Sequence, residues 1–88
     1  MPVAPNYAVF LFPQAVEALG EPIKPYLRES PAGAHIVCTE IDASGGFFEM
    51  KLLGQGAQGQ SLELEIMVPS SMVKLVMSMH GEHDIGFV

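Results

Sequence analysis

Residues 47–68 constrain the fold more than any other stretch. Phe48, Met50 and Leu52 alternate with Phe47, Glu49, Lys51 and Leu53, and Leu62, Leu64, Ile66 and Val68 alternate with Ser61, Glu63 and Glu65. A period of two means extended chain with one face on a core and one face in water. The stretch between the two runs, "GQGAQGQ" (Gly54 to Gln60), is rich in glycine and short enough to join antiparallel neighbours. A third run, "HIVCTEID" (His35 to Asp42), precedes them across the "ASGG" connector, Ala43 to Gly46. These segments predict a three-stranded meander.

The rest of the chain has to cover that meander. "YAVFLF", Tyr7 to Phe12, is apolar on every position and reads as a strand buried on both faces. Residues 1–6 carry Pro2 and Pro5 and read as a flexible arm. Pro13 opens a helix that places Ala15, Val16 and Leu19 on one face. Gly20 and Pro22 interrupt it, and a second short helix puts Ile23, Tyr26 and Leu27 inward despite Pro25. "SPAGA", Ser30 to Ala34, reads as a loop, and "DIGFV", Asp84 to Val88, as a closing strand. Residues 69–80 admit two readings. Pro69 and the serines as a start, with Gly81 as a stop, favour a helix carrying Met72, Val73, Val76, Met79 and His80 on one face. Alternation of Val73, Leu75, Met77 and Met79 with Lys74, Val76 and Ser78 favours a strand. With the helix, the chain is α+β: a small, mostly antiparallel sheet of four to five strands with one or two helices on one face, of the ferredoxin-like type.

The length, 88 residues, suits a single domain over 1–88. Hydrophobic residues make up 49% and charged residues 16%, which is low in charge for a free-standing small domain. Such a chain packs a dense core or uses apolar surface against a partner, so a homo-oligomer is expected. Net charge is −6, and the four basic residues, Lys24, Arg28, Lys51 and Lys74, are scattered singly. Nucleic-acid binding by one chain is not expected from that pattern, because affinity grows with the number of clustered phosphate contacts. A single cysteine, Cys38, excludes an internal disulfide and fits a reducing, cytoplasmic setting. The N-terminal run has neither the basic flank of a signal peptide nor the length of a membrane span, so no membrane association is expected.

The strand reading of residues 69–80 carries a family resemblance. "VKLVMS", Val73 to Ser78, is similar to the second motif of bacterial Sm-like RNA-binding proteins: Lys74, Val76, Met77 and Ser78 match, while Val73 stands for an aromatic and Leu75 for a histidine. The preceding "LLGQGAQGQSLELEIMV" resembles the family's strand-turn-strand, without its usual Asp and closing Asn. The resemblance spans about residues 52–79. It implies an Sm-like bent β-barrel with an N-terminal helix, a ring of subunits, and RNA held in part by Lys74 and Ser78.

Candidate chemistry is sparse. His80 and His83 in "MHGEHD" are of the right type for zinc, copper or nickel, but Gly81 between them ends the helix that would align them. The segment reads as a polar connection. His35 and Cys38 suit a base and a nucleophile, yet three residues apart on a strand they point to opposite faces. Glu40, Asp42, Glu49, Glu63 and Glu65 gather on the water face of the meander and read as a solvated surface. The glycine-rich loop lacks the Lys-Ser/Thr ending of a phosphate loop. No catalytic residue, metal ligand or cofactor is therefore assigned. What remains is the methionine-rich segment, where Met72, Val76 and Met79 are the candidate partner or oligomer surface of a non-enzymatic domain.

Overall fold

The computed structural model describes residues 6–55 and 57–79. In chain order the elements are β1 (Asn6–Leu11), α1 (Pro13–Leu19), a 3-10 helix (Glu21–Tyr26), β2 (Arg28–Ser30), β3 (Gly33–Cys38), β4 (Glu40–Asp42), β5 (Phe47–Gln55), β6 (Ser61–Pro69), a 3-10 turn (Ser70–Met72) and β7 (Val73–Met79). The strands form two antiparallel sheets, β2-β3-β1-β7 and β4-β5-β6. The fold is roughly α+β and mostly strand. Among the described residues both sheets are open and do not close into one barrel.

The apolar run in β1 explains the first sheet. A strand apolar on both faces needs cover on both faces and a ladder on both edges. β3 pairs along one edge, Tyr7 with Cys38 through Phe10 with His35, and β7 along the other, Asn6 with Met79 through Leu11 with Val73. Ala8, Val9 and Phe10 are accordingly at most 1% exposed. Of the two readings of residues 69–80, the helix is corrected and the strand is shown over Val73–Met79. Ser70–Met72 make one 3-10 turn, and Val73–Met79 then run extended beside β1. Helix start and stop signals yielded to β1's need for a second ladder partner. A bulge fits β7 to its neighbour: Phe10 faces Leu75 and Leu11 faces Val73, leaving Lys74 as the extra residue.

The second sheet is the predicted meander, with one change. The single strand expected over His35–Asp42 is broken at Thr39, which donates its backbone N–H to the Lys51 carbonyl at 2.7 Å. The chain passes there from the first sheet to the second, and returns through Ser70–Met72. In β5 and β6, Phe48, Met50, Leu52 and Val68 are buried; together with Val9, Leu11, Ile36 and Cys38 they form one core. Full burial of a side chain the size of Met50 or Ile36 contributes about 1.5–3 kcal/mol. Gly54 serves a close approach, since a Cβ there would lie 2.6 Å from Leu64 Cδ1.

The helical segment lies between β1 and β2 rather than at the N-terminus, as the Sm-like resemblance implied. α1 has Pro13 in its first turn, and the Phe12 carbonyl accepts from Ala15 and Val16 N–H at 2.9 and 3.1 Å. It ends at Gly20, whose φ of +72° suits a residue without a side chain. The second helix is a 3-10 turn with Pro25 inside it, burying Ile23 and half-burying Tyr26. Seven-residue helices are marginal alone, so packing of Ala15 and Ile23 on the core holds this layer. One sheet with helices on one face, the ferredoxin-like plan, is therefore replaced by two sheets that share one core. β2 was not expected; Arg28–Ser30 pairs with Gly33–His35 as a short edge hairpin. The proposed closing strand Asp84–Val88 and the pair His80 and His83 lie outside the described residues.

Candidate functional site

The meander places its polar and apolar residues in rows across three strands. Glu40, Lys51 and Glu65 are directly opposite one another, Asp42, Glu49 and Met67 form the next row, and Phe47 faces Pro69. Leu53 faces Glu63. The five acids singled out in the sequence are thus brought onto one face, around Lys51. That face also carries large apolar side chains in water: Phe47 is 56% exposed, Met67 54% and Leu53 68%. Ser44 holds the Asp42 carboxyl below the usual range, first through its side chain and then through its backbone N–H, which donates to Asp42 Oδ1 at 2.9 Å and caps the turn into β5.

β6 borders this face. Among the described residues it is hydrogen-bonded to β5 along one edge and has no strand along the other. Its phase follows from one bond. The Ser70 N–H donates to the Gly46 carbonyl at 3.1 Å, continuing the β5–β6 register by one residue. Bonded and non-bonded pairs alternate in an antiparallel ladder. Val68, Ile66 and Leu64 therefore exchange bonds with β5, and the backbone groups of Met67, Glu65 and Glu63 turn outward.

A groove of about 280 Å³ runs along that outward edge, lined by Leu19, Pro22, Ile23, Tyr26 and residues 65–68. Four consecutive strand residues belong to alternate faces, so they line one groove only where it follows the strand's edge. One wall is the 3-10 helix and the other is the backbone of β6. The lining is apolar apart from Glu65; Lys24, nearby in sequence, is paired with Glu21 at 2.9 Å.

The other sequence candidates fall elsewhere. Met72 and Val76 are half-buried and pack against the core, and Met79 is half-buried opposite Asn6. Met72 also borders an open cavity of about 380 Å³ beside α1, with Phe12, Gln14, Ala15, Ala18 and Ser71 and no titratable side chain. Lys74 and Ser78 are both exposed on β7. His35 and Cys38 do point to opposite faces. His35 packs on Phe10, ring centroids 4.9 Å apart, with Nδ1 3.3 Å from the Gly33 carbonyl oxygen. Cys38 lies in the core between the sheets, its thiol directed at the Tyr7 carbonyl at 3.7 Å. Burial pushes that thiol up to about 11, so it is no nucleophile near neutral pH. Among the described residues no three His, Cys, Asp or Glu side chains are grouped as metal ligands, and no helix is long and apolar enough to cross a membrane.

The edge of β6 was missed as a site in the sequence, although its signal was present: a long alternating strand beside a glycine-rich loop, with Met67 on the polar face. No family model, curated protein or solved structure matches the chain.

Proposed function

We propose that this chain is a non-enzymatic association domain that assembles with further copies of itself through the edge of β6 that carries no strand among the described residues. The observation that carries this reading is the nine-residue edge, with outward backbone groups at Glu63, Glu65 and Met67 and an apolar groove beside it. Unpaired edge groups recruit another strand unless charge, proline or a covering element blocks them. Here Glu63, Glu65 and Pro69 guard part of the edge and the 3-10 helix stands beside it, which leaves Met67 as the outward apolar position open to a contact. Exposed Phe47, Met67 and Leu53 add apolar area to the same sheet. This moves the association surface from Met72, Val76 and Met79 to the second sheet.

The test is the mass in solution, by size exclusion with light scattering at two salt concentrations. Copies that each carry a charge of −6 repel, so association should tighten as salt screens them. A mass of one chain at every concentration and salt contradicts the reading.

An Sm-like RNA-binding ring is the second reading. Its support is the extended Val73–Met79 following a strand-turn-strand, with Lys74 exposed at the β7 bulge. It requires the opposite salt response. Single-stranded RNA binding would weaken with salt and fall when Lys74 is changed to Ala.

A further inference from the structure

We infer that the occupant of the β6 groove is the β6 of a second copy, added antiparallel about a two-fold axis through Ile66. This deepens the self-association reading and rests on it; what it adds is the partner segment and its register.

Three observations on β6 select that register. The first is phase. Two antiparallel strands pair when residues with outward backbone groups face each other, and in β6 these are Glu63, Glu65 and Met67. Registers that pair odd-numbered residues with odd-numbered residues satisfy this, and they also keep the core face on the same side in both copies. The second is charge. A two-fold axis at Glu63 or Glu65 sets that glutamate against its own copy, and an axis at Leu64 sets Glu63 against Glu65 twice. Like charges directly opposite are unfavourable. An axis at Ile66 sets Glu65 against Met67 and Glu63 against Pro69, so no glutamate faces another. An axis at Met67 also separates the glutamates, but it overlaps fewer residues. Both axes set an outward glutamate against Pro69, which has no N–H to give, so the longer overlap decides for Ile66. The third is the groove. Its wall of Leu19, Pro22, Ile23 and Tyr26 carries no charge, so an added strand meets no ionic side chain there, while Leu64, Ile66 and Val68 of the added copy stay in that copy's own core. The result is a six-stranded sheet with two-fold symmetry, the commonest symmetry of soluble oligomers.

Cysteine pairing reads the register directly. Glu65 and Met67 are exposed, so Glu65→Cys and Met67→Cys leave the core alone, and Cys38 is buried at 1% exposure and adds little background. Residues opposite each other in a bonded pair have Cα atoms about 5.5 Å apart, within disulfide range, while a two-residue offset exceeds it. Mild oxidation of the two single variants mixed together should give a covalent heterodimer, and neither variant alone should cross-link. Charge supplies an independent reading on the uncross-linked protein. Met67→Glu should weaken dimerisation about 2- to 30-fold and Met67→Lys should strengthen it, since two symmetry-related pairs with Glu65 change together. Glu65→Cys linking to itself would place the axis at Glu65, and Met67→Cys linking to itself would place it at Met67; either overturns the register while keeping self-association. A dimer with none of these cross-links and no response to charge at Met67 overturns the β6 contact. A monomer throughout overturns the reading on which the register rests.

Discussion

β1 in the first sheet and β6 in the second are both rich in apolar residues, yet their surroundings differ. β1 has β3 on one edge and β7 on the other, and Ala8, Val9 and Phe10 are at most 1% exposed. β6 has β5 on one edge; Met67 is 54% exposed and Leu62 41%. The contrast separates what an apolar residue is for. In β1 it closes a core that the chain completes by itself. In β6, Leu64, Ile66 and Val68 close the same core, while Leu62 and Met67 stay in water.

Two methionines on adjacent strands of the β5–β6 hairpin break this comparison most sharply. Met50 is fully buried and Met67 is not. Met50→Ala should cost about 2–5 kcal/mol. That is a large share of the roughly 4–13 kcal/mol available to a domain of this size. Urea unfolding at low protein concentration measures it. Cys38 probes the same core through pH. Its thiol stays protonated in the folded chain until about 11, whereas the unfolded thiol loses its proton near the ordinary 9.0. Above that ordinary value the unfolded state binds fewer protons, so stability falls as pH rises from about 9 to 11. Urea midpoints should drop over that window in the natural chain and drop less in Cys38→Ala. Met67→Ala has the smallest expected effect on folding, within about 0.5 kcal/mol in the monomer. Its effect should appear in the oligomer instead. Equal losses at Met50 and Met67 would erase the distinction between the two positions.

Much of this arrangement was legible in the sequence, and the misses share a cause. Strict alternation specified the faces of β5 and β6, because a period of two leaves one side for the core. The apolar run identified β1 and its burial. A strand apolar on both faces demands two neighbours, and Val73–Met79 is the segment that supplies the second. Local helix signals at Pro69, Ser70 and Ser71 outweighed that non-local demand. The break at Thr39 and the strand Arg28–Ser30 are set by how the two sheets meet, and no local residue announces them. The candidate site followed the same pattern. Met72 and Val76 share a face at helical spacing and so resembled a surface stripe. As part of the return to β1 they pack on the core. Met67 and the groove beside it emerge only once the 3-10 helix Glu21–Tyr26 is seen alongside β6.

Sedimentation equilibrium of the natural chain beside Met67→Glu, over a hundredfold concentration range at low and high salt, tests the central claim most directly. The β6 contact requires the natural chain to approach twice its chain mass, more readily at high salt, with Met67→Glu shifted toward the monomer and its unfolding midpoint as a monomer unchanged. A natural chain that sediments as a monomer throughout, or one whose association is indifferent to charge at Met67, would contradict it.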